Sequence, residues 1–392
     1  MRKSAIAIAL GSMFVASYAH AQSVELYGKA YPELIFISGS GATAVGATTA
    51  TIAANASGSN SIVTRNEMQS GNSRFGVRGK EDLGGGLQAI FQFETAFGVD
   101  TPTAFGTRDS FVGLRGGFGE IKLGRMDTPF KKYGDDLSFL GISSGNIVST
   151  SEIMRKTGFG GNSASSFHLR RQNATQYDSP EMSGFNFAIQ YSTDETKTAT
   201  RNAEVWSMGA KYEVGPWYFA IAHEKHDDLF GGSRNVRTSQ SNFADQTVRA
   251  KDKSTQYTAK VKVGAHTFEV DVNQKQYTEN ATITGRFQSY KNQSVMLAME
   301  SRWSAKWRTA FHYLKANAGS CSLINAACST SGLDGTQIAA GAAYYLSRRT
   351  MLFALVTKVT NGASARYNNS DLQTPSNGED IRQVALGISH TF

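Results

Sequence analysis

The feature that most limits what this chain can become is its alternation. From Val24 to Phe392, short segments place apolar residues at every second position and polar or charged residues between them. Successive side chains of a strand point to opposite faces, so each segment has an oily side and a wet side. Segment 87–94 sets Leu87, Ala89, Phe91 and Phe93 against Gln88, Gln92 and Glu94. Phe268, Val270 and Val272 likewise oppose Glu269, Asp271 and Asn273. Sixteen such segments are counted, the last running from Ile381 to Phe392 with Val384, Leu386, Ile388, His390 and Phe392 on one face. Stretches of helical period are hard to find, and 39 Gly, 23 Phe and 15 Tyr stand against only 6 Pro. The fold class is all-β.

What surrounds the strands decides between a sandwich and a barrel. Arg2 and Lys3 precede an apolar run from Ala5 to Val15, and Ala19-His20-Ala21 offers a small-residue cleavage site. Residues 1–21 therefore read as a secretory signal peptide, leaving 22–392 as a single domain. No later run of about 18 apolar residues could form a spanning helix. The turns at 81–86 and 116–119 are short, while the connections at 38–71, 98–107 and 127–166 are long. Aromatics gather at segment ends, among them Tyr177, Tyr191, Tyr212, Trp217 and Trp307. An even strand number, short turns on one side, long loops on the other and aromatic girdles are the marks of a transmembrane barrel. The expectation is a 16-stranded antiparallel transmembrane β-barrel with short periplasmic turns and long outer loops. Pro32 cannot donate to a ladder, so an irregularity is expected there.

The segment from about 127 to 166 lacks sustained alternation and holds adjacent carboxylates, Asp135 and Asp136. A connection that long in a compact fold is commonly functional. It reads as a third loop that folds into the barrel, with Asp135 and Asp136 facing a basic wall. Cys321 and Cys328, close together in a Gly/Ser/Asn-rich stretch of an exported chain, are disulfide candidates. Gly84-Gly-Gly86 and Gly116-Gly-Phe-Gly119 are turns and not phosphate cradles, since neither opens a helix after a buried strand. His223-Glu-Lys-His226 lacks metal-ligand spacing, and no nucleophile–base grouping stands out. Neither a cofactor, a metal nor a nucleic-acid partner is expected.

Several pieces taken in order resemble the trimeric general porins of Gram-negative outer membranes, most closely the neisserial and betaproteobacterial branch. They are Val24-Glu-Leu-Tyr-Gly-Lys-Ala30, Ser73-Arg-Phe-Gly-Val-Arg-Gly-Lys-Glu-Asp-Leu-Gly84, Arg108 to Arg125, Tyr177-Asp-Ser-Pro180 and Gly387-Ile-Ser-His-Thr-Phe392. The resemblance implies a pore narrowed between a basic wall and an acidic third loop. Its wall positions are matched by Lys29, Arg74, Arg108 and Arg170, with Arg78 and Lys122 helping. Lys29, Arg74 and Arg108 are also read as opposing the apolar face of their own strands. Arg170 and Arg171 are adjacent, and the resemblance favours Arg170 as the inward one. The family's loop Glu is missing from Leu137-Ser-Phe-Leu-Gly141, which leaves Asp135 and Asp136 as the acidic side.

The resemblance further implies a homotrimer and a terminal Phe392 that closes the barrel and signals to the barrel assembly machinery. It also implies contact with outer-membrane lipid and lipopolysaccharide. The function implied is passive diffusion of ions and small hydrophilic solutes, with anion preference because the bases outnumber the acids. A substrate-specific channel for organic anions or phosphate is the alternative. A barrel enzyme lacks its catalytic group in this sequence, and an adhesin gives no reason for an inward Arg74 or Arg108.

Overall fold

The computed structural model describes residues 23–100, 106–134, 137, 139–140, 146–160, 163–369 and 373–392. The leader segment expected over 1–21 and both Asp135 and Asp136 lie outside the described residues.

The chain opens with β1 (Ser23–Ala30), β2 (Glu33–Ser40), β3 (Arg65–Gln69), β4 (Arg74–Gly84), β5 (Leu87–Ala96), β6 (Ser110–Gly116) and β7 (Gly119–Asp127). After a long connection come β8 (Arg170–Asp178), β9 (Phe185–Thr193), β10 (Glu204–Val214), β11 (Trp217–Asp227), β12 (Ala250–Val263) and β13 (His266–Glu279). The last six are β14 (Phe287–Arg302), β15 (Trp307–Ala316), β16 (Ser320–Leu323), β17 (Gly335–Tyr345), β18 (Thr350–Asn361) and β19 (Asp380–Thr391). These segments make sixteen wall strands, because three strands are interrupted. β1 and β2 are halves of one strand, broken at Tyr31-Pro32 as the proline foretold, and both pair with β19. β3 and β4 continue one another opposite β2 and β1, and β15 and β16 share β14 as neighbour.

All pairings are antiparallel, and the sheet closes on itself through β1 and β19. The Gly28 N–H donates to the Phe392 carbonyl at 3.1 Å, and the Phe392 N–H returns a bond to Gly28 at 3.0 Å. A Cβ at Gly28 would lie 2.3 Å from the Phe392 ring, so only glycine lets the last aromatic seat against β1. Closure gives every wall strand a neighbour on both sides, which is the requirement for a sheet in hydrocarbon.

Register follows the alternation. Leu26, Val112, Leu123, Ile221, Val270 and Leu297 all point away from the lumen with large exposed areas. A continuous apolar belt of this extent is unstable against water and suited to lipid. Inward positions of the same strands are polar: Glu269 and Asp271 on β13, Ser294 on β14 and Gln337 on β17 are buried inside the barrel. At one rim the turns are tight, and Gly84, Gly85 and Gly86 take positive φ values of 85°, 61° and 81°. At the other rim the connections are long. One expectation needs correcting: residues 65–69 belong to the wall and not to a surface loop spanning 38–71. Arg65-Asn-Glu-Met-Gln69 has no hydrophobic alternation, and pairing with Glu33–Ile37 makes it a strand. Cys321 on β16 forms a disulfide with Cys328 in the connection that follows it.

Leu297 sits mid-belt on β14, opposite Val270 on one side and Tyr313 on the other. Leu297→Arg is expected to destabilise the folded barrel by roughly 2–4 kcal/mol, whereas Thr255→Arg, outward but above the belt, costs about 1 kcal/mol or less. Urea titration in detergent or liposomes measures both; equal costs would contradict this placement of the belt.

Candidate functional site

The inward face of β1 to β8 is built from cross-strand partners. Register sets Glu25 opposite Arg78, Tyr27 opposite Gly76 and Lys29 opposite Arg74. Gly76 is small because Tyr27 lies across it: a Cβ there would come within 2.5 Å of the tyrosine ring. The Arg78 guanidinium donates to both Glu25 oxygens, at 2.8 and 3.0 Å, and stands 4.8 Å above the Tyr27 ring. One strand further on, Glu94 accepts from the Tyr27 hydroxyl at 3.0 Å, pairs with Arg108, and lies 3.9 Å from the Arg74 Nε. Lys29 is within electrostatic reach of Arg74 and Arg108, and Arg74 of Arg170.

Arg170 closes this upper tier. Its Nε donates to Asp109 at 2.5 Å and its terminal nitrogen meets Asp127 at 2.9 Å, while Lys131 reaches Asp127 at 2.8 Å. Arg171 instead donates to Ser192 at 3.3 Å. The register slips between Gly124 and Met126, and Asn173 adopts a φ of 52°, so the start of β8 departs from strict alternation. A lower tier holds Lys122 against Asp178 at 2.6 Å, with Lys132 on the same carboxylate at 2.9 Å, and Arg115 against Glu120 at 2.7 Å.

The structure thus brings Lys29, Arg74, Arg108 and Arg170 together, and it sets Arg78 apart on Glu25 and Lys122 apart on Asp178 and Glu120. Alternation carries Lys29 and Arg74 inward but not Arg108. β6 turns Val112 and Leu114 outward, so even positions on that strand face lipid. Arg108 reaches Glu94 because it precedes the first laddered residue, Ser110, and its own N–H already bonds the Glu94 carbonyl at 3.1 Å. The acids Glu94, Asp109 and Asp127 were missed as site residues. Glu94 was legible as inward from its parity, but its partner fourteen positions on was not.

Between Asp127 and Arg170 the third connection enters the lumen. It starts with a one-turn helix, Pro129–Tyr133, capped by the Thr128 hydroxyl, which accepts from the Lys131 N–H. The Phe130 N–H donates to Ser207 at 2.9 Å and the Tyr133 hydroxyl to Asn186 at 2.9 Å, fixing this turn to β9 and β10. The loop then crosses the barrel. Phe139, Leu140, Ile147 and Val148 pack with Tyr31, Phe353 and Leu355, and Asn146 donates to the Tyr31 hydroxyl at 3.2 Å. It returns through Ser151–Met154, where buried Lys275 donates to the Met154 carbonyl at 2.6 Å and to Ser294 at 2.8 Å. Phe159 and Phe167 finish against Tyr277 and Tyr290. The loop therefore lines β9 to β19 and β2, and leaves the charged wall of β1 and β4 to β8 on the other side. Among the described residues, no cluster of metal-ligating side chains is present.

A closed barrel with an apolar exterior, a polar interior and a loop folded inward beside a charged wall defines the class of transmembrane β-barrel proteins. A Gram-negative porin family model matches residues 4–364, and the chain belongs to that family, which places it in the outer membrane. The major outer membrane protein P.IB of Neisseria gonorrhoeae is 32% identical over 226 residues, covering 57% of this chain and 56% of the relative. Its counterpart in Neisseria meningitidis serogroup B is 29% identical, covering 58% and 61%. The match thus spans little more than half the length of these relatives. Among solved structures, the anion-selective porin from Comamonas acidovorans superposes with a TM-score of 0.71 at 21% identity, over 95% of this chain and all of that one. OmpT of Vibrio cholerae in its trimer form gives 0.60 at 15% identity, over 95% and 100%.

Where the loop rejoins the wall, His168 is ringed by Lys131, Arg155, Lys156 and Arg170. Burial and these cations hold its imidazole well below the usual 6.5, and its Nδ1 faces an Arg155 donor at 3.5 Å. The folded state keeps this ring neutral while the unfolded chain takes up a proton below about pH 6.5, so stability falls as pH drops through that value. His168→Gln is expected to flatten the loss of loop protection between pH 7 and pH 5, read by hydrogen exchange over residues 146–160. An unchanged pH slope in the variant would contradict this account.

Proposed function

We propose that the barrel is a water-filled channel for passive diffusion of ions and small hydrophilic solutes, with preference for anions. The observation that carries this reading is the convergence of Lys29, Arg74, Arg108 and Arg170 on the wall that the third loop leaves uncovered. Glu94, Asp109 and Asp127 brace these bases and offset part of their charge. They also hold the guanidinium groups in fixed positions, so charge is presented to the passage without side-chain wandering. An anion crossing beside them exchanges hydration for a preorganised row of donors. Asp135 and Asp136 are assigned to the opposing loop side, giving a field across the passage. The fold shared with a porin described as anion-selective agrees with this reading.

The same proposal makes the chain a channel and not a catalyst, removes residues 1–21 as an export signal, and leaves 22–392 as one barrel domain. It assembles as a homotrimer, in keeping with the trimer form of the OmpT neighbour, after insertion by the barrel assembly machinery through a terminal strand ending in Phe392. In place, it contacts outer-membrane lipid and lipopolysaccharide.

Single-channel recording of refolded protein in planar bilayers tests the reading. Under a KCl gradient the reversal potential is expected on the anion side, and the double substitution Arg74→Glu, Arg108→Glu is expected to carry it to the cation side. Cation preference in the wild type would overturn the assignment. Saturable block of chloride current by phosphate or small carboxylates would instead favour a substrate-specific channel.

A further inference from the structure

A second layer of chain lies on the third loop at the rim that carries the long connections. Residues 41–64, between β2 and β3, are rich in Ala, Thr, Ser and Gly, yet Ala50, Ile52 and Ala53 are at most 1% exposed. They share one apolar cluster with Phe159 of the third loop, Tyr290 of β14 and Leu323 of β16. A backbone buried outside a sheet must find its partners elsewhere, and this one finds them on three other connections. The Thr51 N–H donates to the Ser329 carbonyl at 2.8 Å, and the Ser329 N–H returns a bond to the Thr51 hydroxyl at 2.9 Å. The Ala50 N–H donates to the Ser364 hydroxyl at 3.0 Å, and the Gln240 side chain to the Thr51 carbonyl at 3.1 Å. The Arg237 guanidinium donates to the Ala53 carbonyl. The segment is a strap, rooted at β2 and β3 and tied to the connections after β11, β16 and β18.

The Cys321–Cys328 bond stands among these ties. Cys328 precedes Ser329 directly, and both cysteines pack against the cluster that buries the strap. Past Ser329, the Thr330 hydroxyl donates to the Gly319 carbonyl at 2.8 Å. Closing a ring between residues seven positions apart removes many conformations from the segment, so the cystine fixes Ser329 where Thr51 meets it. The same layer reaches the third loop, because Arg366 donates from its N–H to the Gly158 carbonyl at 2.8 Å and from its Nε to the Phe159 carbonyl at 3.2 Å. Thiol–disulfide exchange needs an accessible sulfur, and both cysteines are only half-buried.

We propose that the Cys321–Cys328 bond is a redox latch for this strap. While the bond stands, residues 49–53 stay docked on the third loop and the passage is steadily open. When a small dithiol reduces it, the strap undocks and swings into the mouth, closing the passage briefly and repeatedly. The step is a two-electron exchange. A thiolate of the dithiol attacks one cystine sulfur, giving a mixed disulfide and one free cysteine. The second dithiol sulfur then closes its own ring and releases the other cysteine. The protein gains two electrons and two protons, and the dithiol leaves as a cyclic disulfide; a disulfide of the same class reverses the exchange. The effect on current rests on the channel reading above, whereas release of the strap rests on the fold alone.

Dithiothreitol added to the folded protein in detergent tests the latch, with alkylation and mass measurement confirming that both thiols are free. Hydrogen exchange over residues 49–53 is expected to speed up roughly tenfold or more on reduction. In planar bilayers, reductant on the side of the long connections is expected to raise the frequency of brief closures about fivefold or more, and reoxidation to restore it. Cys321→Ser with Cys328→Ser is expected to behave as the reduced wild type and to ignore the reductant. If that variant does not refold, the reduced wild type carries the measurement. Unchanged exchange over 49–53 in the reduced protein would overturn the proposal, as would loosening confined to 320–334 or closures at the oxidised rate. So would a cystine that resists the dithiol while the barrel stays folded. A wild type that conducts no current would count against the channel reading, and exchange would still decide whether the strap is latched.

Discussion

The structure depends first on the hunger of backbone amides for partners in a medium without water. Each unsatisfied N–H or C=O in hydrocarbon costs several kcal/mol, and a flat sheet would leave two rows of them. Sixteen strands that end by pairing with their own beginning remove both rows. The irregularities are tolerated where side chains or the neighbouring strand take over. At the Tyr31-Pro32 break, for example, the Tyr31 N–H donates to Ser73 and the Pro32 carbonyl accepts from Ile388.

Closure then dictates the chemistry of both faces. Because side chains alternate, a wall built to meet lipid on the outside must turn every second residue toward the lumen. The sequence is free to choose those residues for charge. On β1 and β4 to β8 it chose bases with acids between them, and on β2 and β9 to β19 it chose residues that bond or pack against the third loop. Lys275 shows how deliberate the second choice is: a buried lysine whose amino group is spent on the Met154 carbonyl and Ser294. A charge there costs desolvation unless it is hydrogen-bonded, so its position is tied to the loop's.

Much of this was legible beforehand because period-two patterning is a local signal. Parity placed Lys29, Arg74 and Glu94 inward, and Pro32 announced the broken strand. The pattern was silent where pairing, and not hydrophobicity, makes the strand, as for Arg65–Gln69. Arg108 is inward as expected but not by parity, since even positions of β6 face lipid and Arg108 lies before the regular ladder begins at Ser110. The partners of the bases were hidden for another reason. Glu94 with Arg108, and Asp109 and Asp127 with Arg170, meet across neighbouring strands, and those distances are fixed by register that no single segment contains. The path of the third loop depends on contacts with strands from β2 to β19 and is equally non-local.

That path has a geometric corollary. A loop stitched along more than half of the inner circumference does not shrink the hole evenly; it pushes the remaining water to one side. The water that remains runs beside Lys29, Arg74, Arg108 and Arg170, so an ion in transit meets fixed charge on one flank and the hydrogen-bonded loop on the other.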